Sequence, residues 1–551
     1  MNSLAEKKLA RAELLATARI VNDSLMRDIA QHVQPRKANS IMSDAAEVPT
    51  AEVDRLFDTT AMNANQTLGS GMHSNITPMG TTFATLSAPS DGDEEIGYDV
   101  KNWFLKATQI FHREISKSNF HSAVDEFYLD HGGFGTAAML CRMGQKNKLV
   151  FETLEIGSYS IAEGEDRQVD TLYRNYELTP RQIMQSFGDD APESVREKAA
   201  DEKSKDIPLK ILHAIEPRAD YDKSKIDAKN MPISSCYVLT ETKEILKESG
   251  FFELPFAVSR WRIWGKSAYG WSPSYYALPV AAQLNFLEQC IDVGVERAAF
   301  PAWMVPNTMK GEFDPRPHGQ NIFDPSVGGD QAMPQELESR GRIDVAVDRE
   351  EQKRKVVREA FFEDLFKLLS RIDKQMTARE VHELTAEKTT LFHPFFARLT
   401  TEFLGPILLR AFAELLRAGK FGTPPSGLFT QTPDGWEMED PEIEFNSRLA
   451  LALEMGEVSG LLQTIDDLNP IAQILGPDVY DWLDTDKAGA KIARTRGVSA
   501  EVMRDAEEIA ARRQAREEAA AKAAAAEQAQ QLAGAVGSLG GPEEAKQLME
   551  A

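Results

Sequence analysis

The sequence predicts an α+β chain that is predominantly helical, and three observations lead there. Its first 280 residues mix short β-type runs with helical periods, whereas the second half is dominated by long helical patterns. From Thr377 the apolar residues Val381, Leu384, Leu391, Phe395, Leu399, Phe403, Ile407, Ala411 and Leu415 recur three, four or seven apart, which is a helical period. At ~1.5 Å per residue the roughly 44 positions to Lys420 would span about 65 Å, more than a compact enzyme domain needs. Ahead of this strut lie two further helical patterns, Ala281–Ala299 and Glu350–Ile372, flanking a loop-rich insert.

In chain order, Met1–Ala30 mixes charged residues with Leu4, Leu14, Val21, Leu25 and Ile29, predicting an amphipathic helix without the uncharged core of a secretory signal. Gln34–Thr50 is a polar connector and Ala51–Met62 a short helix. Asn63–Gly92, rich in Gly, Ser, Asn and Pro, is expected to be irregular. Helices are predicted over Val100–Phe111 and Phe120–Leu129, a tight turn over His131–Gly135, and strands over Leu149–Leu154, Tyr159–Ala162, Leu209–Ile215, Ser235–Leu239 and Phe256–Arg262. Thr179 and Pro180 form an N-cap and first-turn proline for a short helix.

The insert Pro301–Arg349 offers one strand candidate, Ile343–Val347. The helix after it should carry Val357, Phe361, Leu365 and Leu368 on one face. Pro394 and Pro406 each remove a donor from the strut and predict kinks. Gly422–Pro441 reads as a loop, and Arg448–Leu475 and Val479–Ala493 as helices. Ala510–Gln531 has no bulky apolar residue, so it predicts an exposed helix leading into a Gly-rich tail.

Composition narrows the function. With 42% hydrophobic and 27% charged residues the chain is an ordinary soluble one, and no apolar run reaches the ~18 residues of a membrane span. Cys141, Cys236 and Cys290 are widely spaced, which argues against a disulfide scaffold or structural zinc and for a reducing cytoplasm. A net charge of −24 argues against a general nucleic-acid coat, though it does not exclude a surface past which DNA slides without sticking.

Motifs for catalysis come close and fail. Gly265-Lys266-Ser267 ends like a phosphate loop, yet Arg260 stands where the leading glycine belongs. His382-Glu383 opens a zinc-protease helix motif, but the second histidine position is Ala386. Gly132-Gly133-Phe134-Gly135 lacks dinucleotide-site spacing. The acidic groups Asp91, Asp93, Glu94, Glu95 and Asp481, Asp484, Asp486 lack calcium-loop order. The residues supply no reason to assign an enzyme, a cofactor or a metal.

Other signatures accumulate in order: Asn63–Pro78 with Leu68-Gly69-Ser70-Gly71; Ser118-Asn119-Phe120 and Gly133–Thr136; Ile161-Ala162-Glu163 and Val169-Asp170-Thr171; Arg174 and Leu178–Gln182; His213–Arg218. Pro255-Phe256, Arg260-Trp261, Tyr269-Gly270, Ser272-Pro273, Met376-Thr377-Ala378, Glu380-Val381, Glu402-Phe403-Leu404 and Pro406 follow. Over roughly Arg55–Arg513 their succession resembles the portal (head-to-tail connector) proteins of short-tailed, T7-like bacteriophages.

The resemblance implies a portal-like fold with wing, stem, clip and crown regions, in a homo-oligomer of about twelve copies at one capsid vertex, through which double-stranded DNA is packaged and ejected. By position, residues 1–280 would be the wing, 281–300 and 350–372 the stem helices, 301–349 the clip, 370–378 the tunnel loop, 377–420 the long wing helix, 421–513 the crown and 514–551 an Ala-rich helix and tail. DNA-facing candidates are Lys353, Arg354, Lys355, Arg358, Arg371, Lys374, Gln375, Met376 and Arg379. Clip residues Lys310, Arg316, His318, Arg340 and Arg342 are candidates for docking partners. The implied partners are the packaging terminase motor, tail adaptor or nozzle proteins, and major capsid and scaffolding proteins, with no membrane. The implied place is the virion, after assembly in the host bacterial cytoplasm. Two competing readings are a packaging-motor nucleotidase, suggested by Gly265-Lys266-Ser267, and a capsid or scaffold component, suggested by the Ala/Glu-rich tail.

Overall fold

A computed structural model of the chain describes residues 3–38, 56–89, 97–144, 147–222, 225, 227–309, 311–316, 320–322, 333–337, 343–370, 391–432, 435–447, 449, 458, 460–470, 483–495 and 506–538. It divides into two compact units, Met1–Leu453 and Glu454–Ala551.

The first unit opens with α1 (Leu4–Val33), started by a capping box in which the Ser3 hydroxyl accepts from the Glu6 amide. Next come α2 (Thr60–Ile76), β1 (Ala84–Ser87), α3 (Tyr98–Lys117) and α4 (Phe120–Phe134). β2 (Thr136–Met143) is the centre of a three-stranded antiparallel sheet between β3 (Leu149–Leu154) and β9 (Phe256–Arg260). A five-stranded antiparallel meander holds β4 (Tyr159–Glu163), β5 (Val169–Leu178), β6 (Leu209–Pro217), β7 (Ile233–Leu239) and β8 (Ile245–Phe251).

The meander is a middle layer. Strand period sends Leu209, Ile211 and Leu239 to one face, where α5 (Pro180–Phe187) and α6 (Glu193–Ala200) cover them with Ile183 and Val195. Leu212, Ala214, Cys236 and Val238 point the other way, under Ala5, Leu9 and Leu15 of α1. As expected, Thr179 caps α5 in a capping box with Gln182.

The main core joins α1 to α4 and the small sheet to a helical hairpin and the strut. The hairpin is α7 (Pro273–Ala299), then β10 (Trp303–Met304) paired antiparallel with β11 (Gln335–Glu336), then α8 (Ile343–Ala360) and α9 (Glu363–Ser370). The strut is helical over 391–399, passes through a π-turn at Thr400–Leu404 and continues as α10 (Gly405–Arg417). Phe403 stacks on Phe127 at 3.7 Å, and Phe395 stacks on Trp261 at 4.7 Å. Strut residues 377–390 lie outside the described residues.

Several expectations are corrected. Asn63–Ile76 is helical, because its small residues are contact points and not loop formers. A Cβ on Gly69 would meet Leu129 Cδ2 at 2.9 Å, and one on Gly71 would meet Phe366 Cγ at 2.3 Å, so α2 lies flush against α4 and α9. The preceding helix expected over Ala51–Met62 is absent at Leu56–Thr59. There Asp58 accepts from the Thr60 amide at 2.9 Å and starts α2. Gly132 and Gly133 continue α4, and the chain turns only at Gly135, with φ +75°.

Ile343–Val347 is the first turn of α8 and not a strand, since β-branched propensity yields to the helical spacing that buries Glu350 and Val357. The expected continuous helix Glu350–Ile372 breaks at Phe361-Phe362, where Phe362 takes φ +55° and both rings enter the aromatic core. Val357, Phe361 and Leu365 share the buried face as expected; the Leu368 side chain lies outside those described. α7 begins at Pro273, eight positions before the expected Ala281, with the proline at its first turn.

Gly422–Pro441 holds a hairpin, β12 (Phe429–Thr432) with β13 (Gly435–Met438). Beyond it, β14 (Glu442–Phe445) pairs with β1 across the length of the unit. β2 and β8 form where no strand range was predicted, their pairing decided by distant neighbours.

In the second unit residues 460–470 are helical. Of the expected helix Val479–Ala493, residues 479–482 lie outside the described residues and Leu483-Asp484 is not helical; Asp484 accepts from the Lys487 amide and caps α11 (Thr485–Thr495). α12 (Ala506–Ser538) is exposed over residues 511–526, as its composition requires.

Gly71→Ala should lower the urea unfolding midpoint by an amount equivalent to about 1–3 kcal/mol, the cost of forcing a methyl into packed aromatic surface.

Candidate functional site

The hairpin is where the molecule departs most from a closed core. The early turns of α7 are buried through Pro273, Ser274, Ala277, Ala281 and Leu284. Beyond Leu284 every position is half-buried or exposed. Along the whole helix and its C-cap, Tyr276, Pro279, Gln283, Phe286, Cys290, Val293, Arg297 and Phe300 are all exposed and repeat at three and four, the spacing of a helix–helix seam. Phe286 is 65% and Phe300 79% exposed, and with Val293 they form an apolar stripe along the helix.

Four charged side chains tie the hairpin's root to the body. Asn285 Oδ1 accepts from the Phe57 amide at 2.6 Å and the Asp58 amide at 3.2 Å. Arg354 Nε donates to Asp58 Oδ2 at 3.1 Å, and its Nη2 pairs with Glu350 Oε1 at 2.6 Å and with Glu288 Oε1. One oxygen from each of Asp58, Glu288 and Glu350 lies within 4.8 Å of the others, a set that could surround a cation. Here the guanidinium of Arg354 fills that role. Burial, and then sharing with Glu288, pushes the Glu350 carboxyl up to about 7, with Arg354 opposing.

Above the root lies a brace built on Arg260, the last residue of β9, only 1% exposed. Its backbone N–H donates to Glu402 Oε2 at 2.9 Å and its Nη2 to Glu402 Oε1 at 2.8 Å; Nη2 also donates to the Arg167 carbonyl at 2.8 Å, and Nη1 pairs with Glu163. Glu402 sits in the π-turn of the strut, so one side chain ties the small sheet, the meander and the strut together. Nearby, Thr136 Oγ1 accepts from the Gly270 amide at 2.7 Å and Ser272 Oγ donates to the Gly133 carbonyl at 2.7 Å. Glu163, Arg260, Glu402, Gly133, Thr136, Gly270 and Ser272, scattered through the sequence pattern, thus meet in one region.

The family model for bacteriophage head to tail connecting proteins matches residues 5–503. The chain belongs to this family. The connector is 27% identical to the portal protein of Salmonella phage epsilon15 over 516 residues, which cover 93% of this chain and 91% of that one. It is also 27% identical to the probable portal protein of Bordetella phage BPP-1, over 99% of this chain and 98% of that one. A chain from the virion of a native gene transfer agent particle superposes with a TM-score of 0.32 at 11% identity, over 81% of this chain and 94% of that one, too low a score to add to the assignment. The chain is therefore a structural connector of the phage virion.

In the connector, the sequence-predicted basic residues have distinct surroundings. Arg354 is held by the root carboxylates. Lys353 donates to Gln283, Lys355 lies 3.8 Å from Glu359, and Arg358 lies 3.0 Å from Glu351. Arg371, Lys374, Gln375, Met376 and Arg379 lie outside the described residues, as do Lys310, His318, Arg340 and Arg342. Arg316 is exposed and forms a two-point pair with Asp314 at 2.8 Å.

Pro394 lies in the helical run 391–399, on the rim of a cleft of about 620 Å³ floored by Arg260 and Glu402. Pro406 follows the π-turn by one residue, Gly405, whose amide donates to the Thr400 carbonyl at the turn's exit.

Gly265-Lys266-Ser267 forms a surface turn with Gly265 at φ +63°, bridged by Ile263 and Gly270. His382-Glu383, the acidic run from Asp91, and Asp481 lie outside the described residues. Sequence reasoning missed the root cluster, because Asp58, Glu288 and Glu350 are ordinary acids until the fold collects them. Among the described residues no helix is long and apolar enough to cross a membrane.

Arg260→Met should destabilise the connector by about 3 kcal/mol in chemical denaturation. That is the lower end for breaking a buried pair, since Glu163 and Glu402 retain some contact with water.

Proposed function

We propose that the chain is the portal of a short-tailed, T7-like phage: a closed ring of about twelve copies at one capsid vertex, through which double-stranded DNA is packaged and later ejected. The observation that carries this reading is the exposed seam along α7, from Tyr276 to Phe300. A second copy of the chain covers it, and a heterologous contact repeated around an axis closes into a ring. Relatives bearing the portal name over nearly their whole length support the same role.

In this reading α7 and α8 are the stem, residues 301–349 the clip that meets the terminase motor and then the tail adaptor or nozzle, and residues 370–378 the tunnel loop. The strut runs outward into the wing, residues 421–513 form the crown, and residues 514–551 are an Ala-rich helix and tail. Major capsid and scaffolding proteins surround the ring during assembly in the host cytoplasm. At −24 per copy the channel wall repels phosphate, so DNA slides with few lasting contacts. The chain itself carries no catalysis; motive force comes from the motor.

Electron microscopy of purified protein should show a closed ring with an axial channel, and a strictly monomeric particle at micromolar concentration would overturn the reading. Phe286→Asp with Val293→Asp places unpaired charge in the seam, and should reduce the ring fraction by more than about tenfold while leaving the folded protomer intact by circular dichroism.

An ATPase assay should show no turnover. Activity that disappears in Lys266→Ala would favour a motor enzyme instead.

A further inference from the structure

At the root of the hairpin three carboxylates face one guanidinium. Asp58 comes from the segment ahead of α2, Glu288 from α7 and Glu350 from α8, and Arg354 contacts each of them. With all four ionised the cluster holds two negative charges in excess. Glu350 is 3% exposed, so water does little to screen that excess.

Of the neighbouring charges, Glu351 reaches Arg354 Nη1 at 4.0 Å but pairs more closely with Arg358 at 3.0 Å, and Lys353 donates to Gln283. On α7 the remaining charged residues, Asp292, Glu296 and Arg297, lie one or more turns farther along the helix. α2 contains no acid or base except His73, which faces Asp125 at 3.3 Å.

We propose that Asp58, Glu288 and Glu350 hold one proton between them, and that this proton fastens the hairpin to the Phe57–Asp58 segment. With the proton in place, Glu288 and Glu350 share it and the excess falls from two negative charges to one, with Arg354 set among all three side chains. When it leaves, the two acids repel across the helix pair, and Arg354 cannot neutralise them and Asp58 together. A divalent cation is a poor replacement, because the guanidinium already occupies the space between the oxygens. The joint is thus tight in mild acid and looser above neutrality, whichever partners the hairpin meets.

The sign follows from linkage. The Glu350 carboxyl sits at about 7, against 4.5 for an unperturbed one, so the folded joint binds the proton more tightly than the open one. Its stabilisation is fully present below about pH 4.5, falls as pH rises to about 7, and is constant beyond. Burial holds His131 down at about 3 and His213 well below its usual value, and these two work in the opposite direction, favouring the fold as pH rises through the ordinary histidine range. Global stability would mix the two effects, so the readout has to be local.

Hydrogen exchange of the full-length wild-type chain supplies it, through the amides of Phe57 and Asp58, which donate to Asn285, and of Thr60, which donates to Asp58. After correction for base-catalysed intrinsic exchange, their protection should fall by up to about tenfold per pH unit between about pH 5 and 7, then level off. Glu350→Gln, which keeps the shape of the protonated acid, should give a flat profile at the protected level. Glu288→Gln should also flatten it, and covers the case in which the first variant fails to fold. A flat wild-type profile, or a slope that survives in either folded variant, would overturn the proposal. Neither result depends on ring formation.

Discussion

The Arg260 side chain is the interaction on which most of the first unit depends. It ends a strand of the small sheet, yet its bonds reach Glu163 at the end of β4 and Glu402 in the strut, making one guanidinium the shared partner of three layers. Burying an arginine is costly unless its donors are satisfied, and here the Arg167 carbonyl completes the set. The π-turn at Thr400–Leu404 is intelligible in this light. It widens the helix where Glu402 must reach the sheet and just before Pro406, whose ring nitrogen cannot donate to a carbonyl one turn back.

From that brace the molecule grades outward from dense to open. Aromatic stacking among Phe127, Phe403, Trp261 and Phe395 fills the region between α4, the small sheet and the strut. Gly270 lets two backbones approach so closely that a Cβ there would fall 2.1 Å from the Gly135 carbonyl oxygen. Farther along α7 the core ends, and the helix continues with the Glu288–Arg354 pair to α8 and a seam whose apolar members, Phe286, Val293 and Phe300, are exposed. A protein that assembles through a protruding element needs both properties: a rigid base to fix the element's direction, and an outer surface left for neighbours.

The root cluster lies at the boundary between these regimes. Its carboxylates are neither dispersed in solvent nor matched one for one by cations, and burial with the neighbouring Glu288 raises the Glu350 carboxyl. Arg354 shows how tertiary context reassigns a residue. As sequence it is one of several basic side chains on a helix face; in the fold it is the cation that holds Asp58, Glu288 and Glu350 together.

By itself the sequence determined the α+β, helix-rich character, α1, the capped α5, the exposed Ala-rich helix and the two-helix hairpin with its insert. Those features rest on local caps and on periods of two or 3.6, which a linear chain displays directly; the connector family is legible separately, through the succession of motifs along the chain. Tertiary structure alone decided that Asn63–Ile76 is a helix, since its glycines are explained only by Leu129 and Phe366 from elsewhere in the chain. It also decided that the chain breaks at Phe361-Phe362, that Gly422–Pro441 pairs as strands, and that Asp58 meets Glu288 and Glu350. For α2, the break and the carboxylates the deciding contact lies far away in sequence, where propensity and spacing carry no information about what a residue will touch; the β12–β13 hairpin is local, but its Gly- and Pro-rich composition reads as loop.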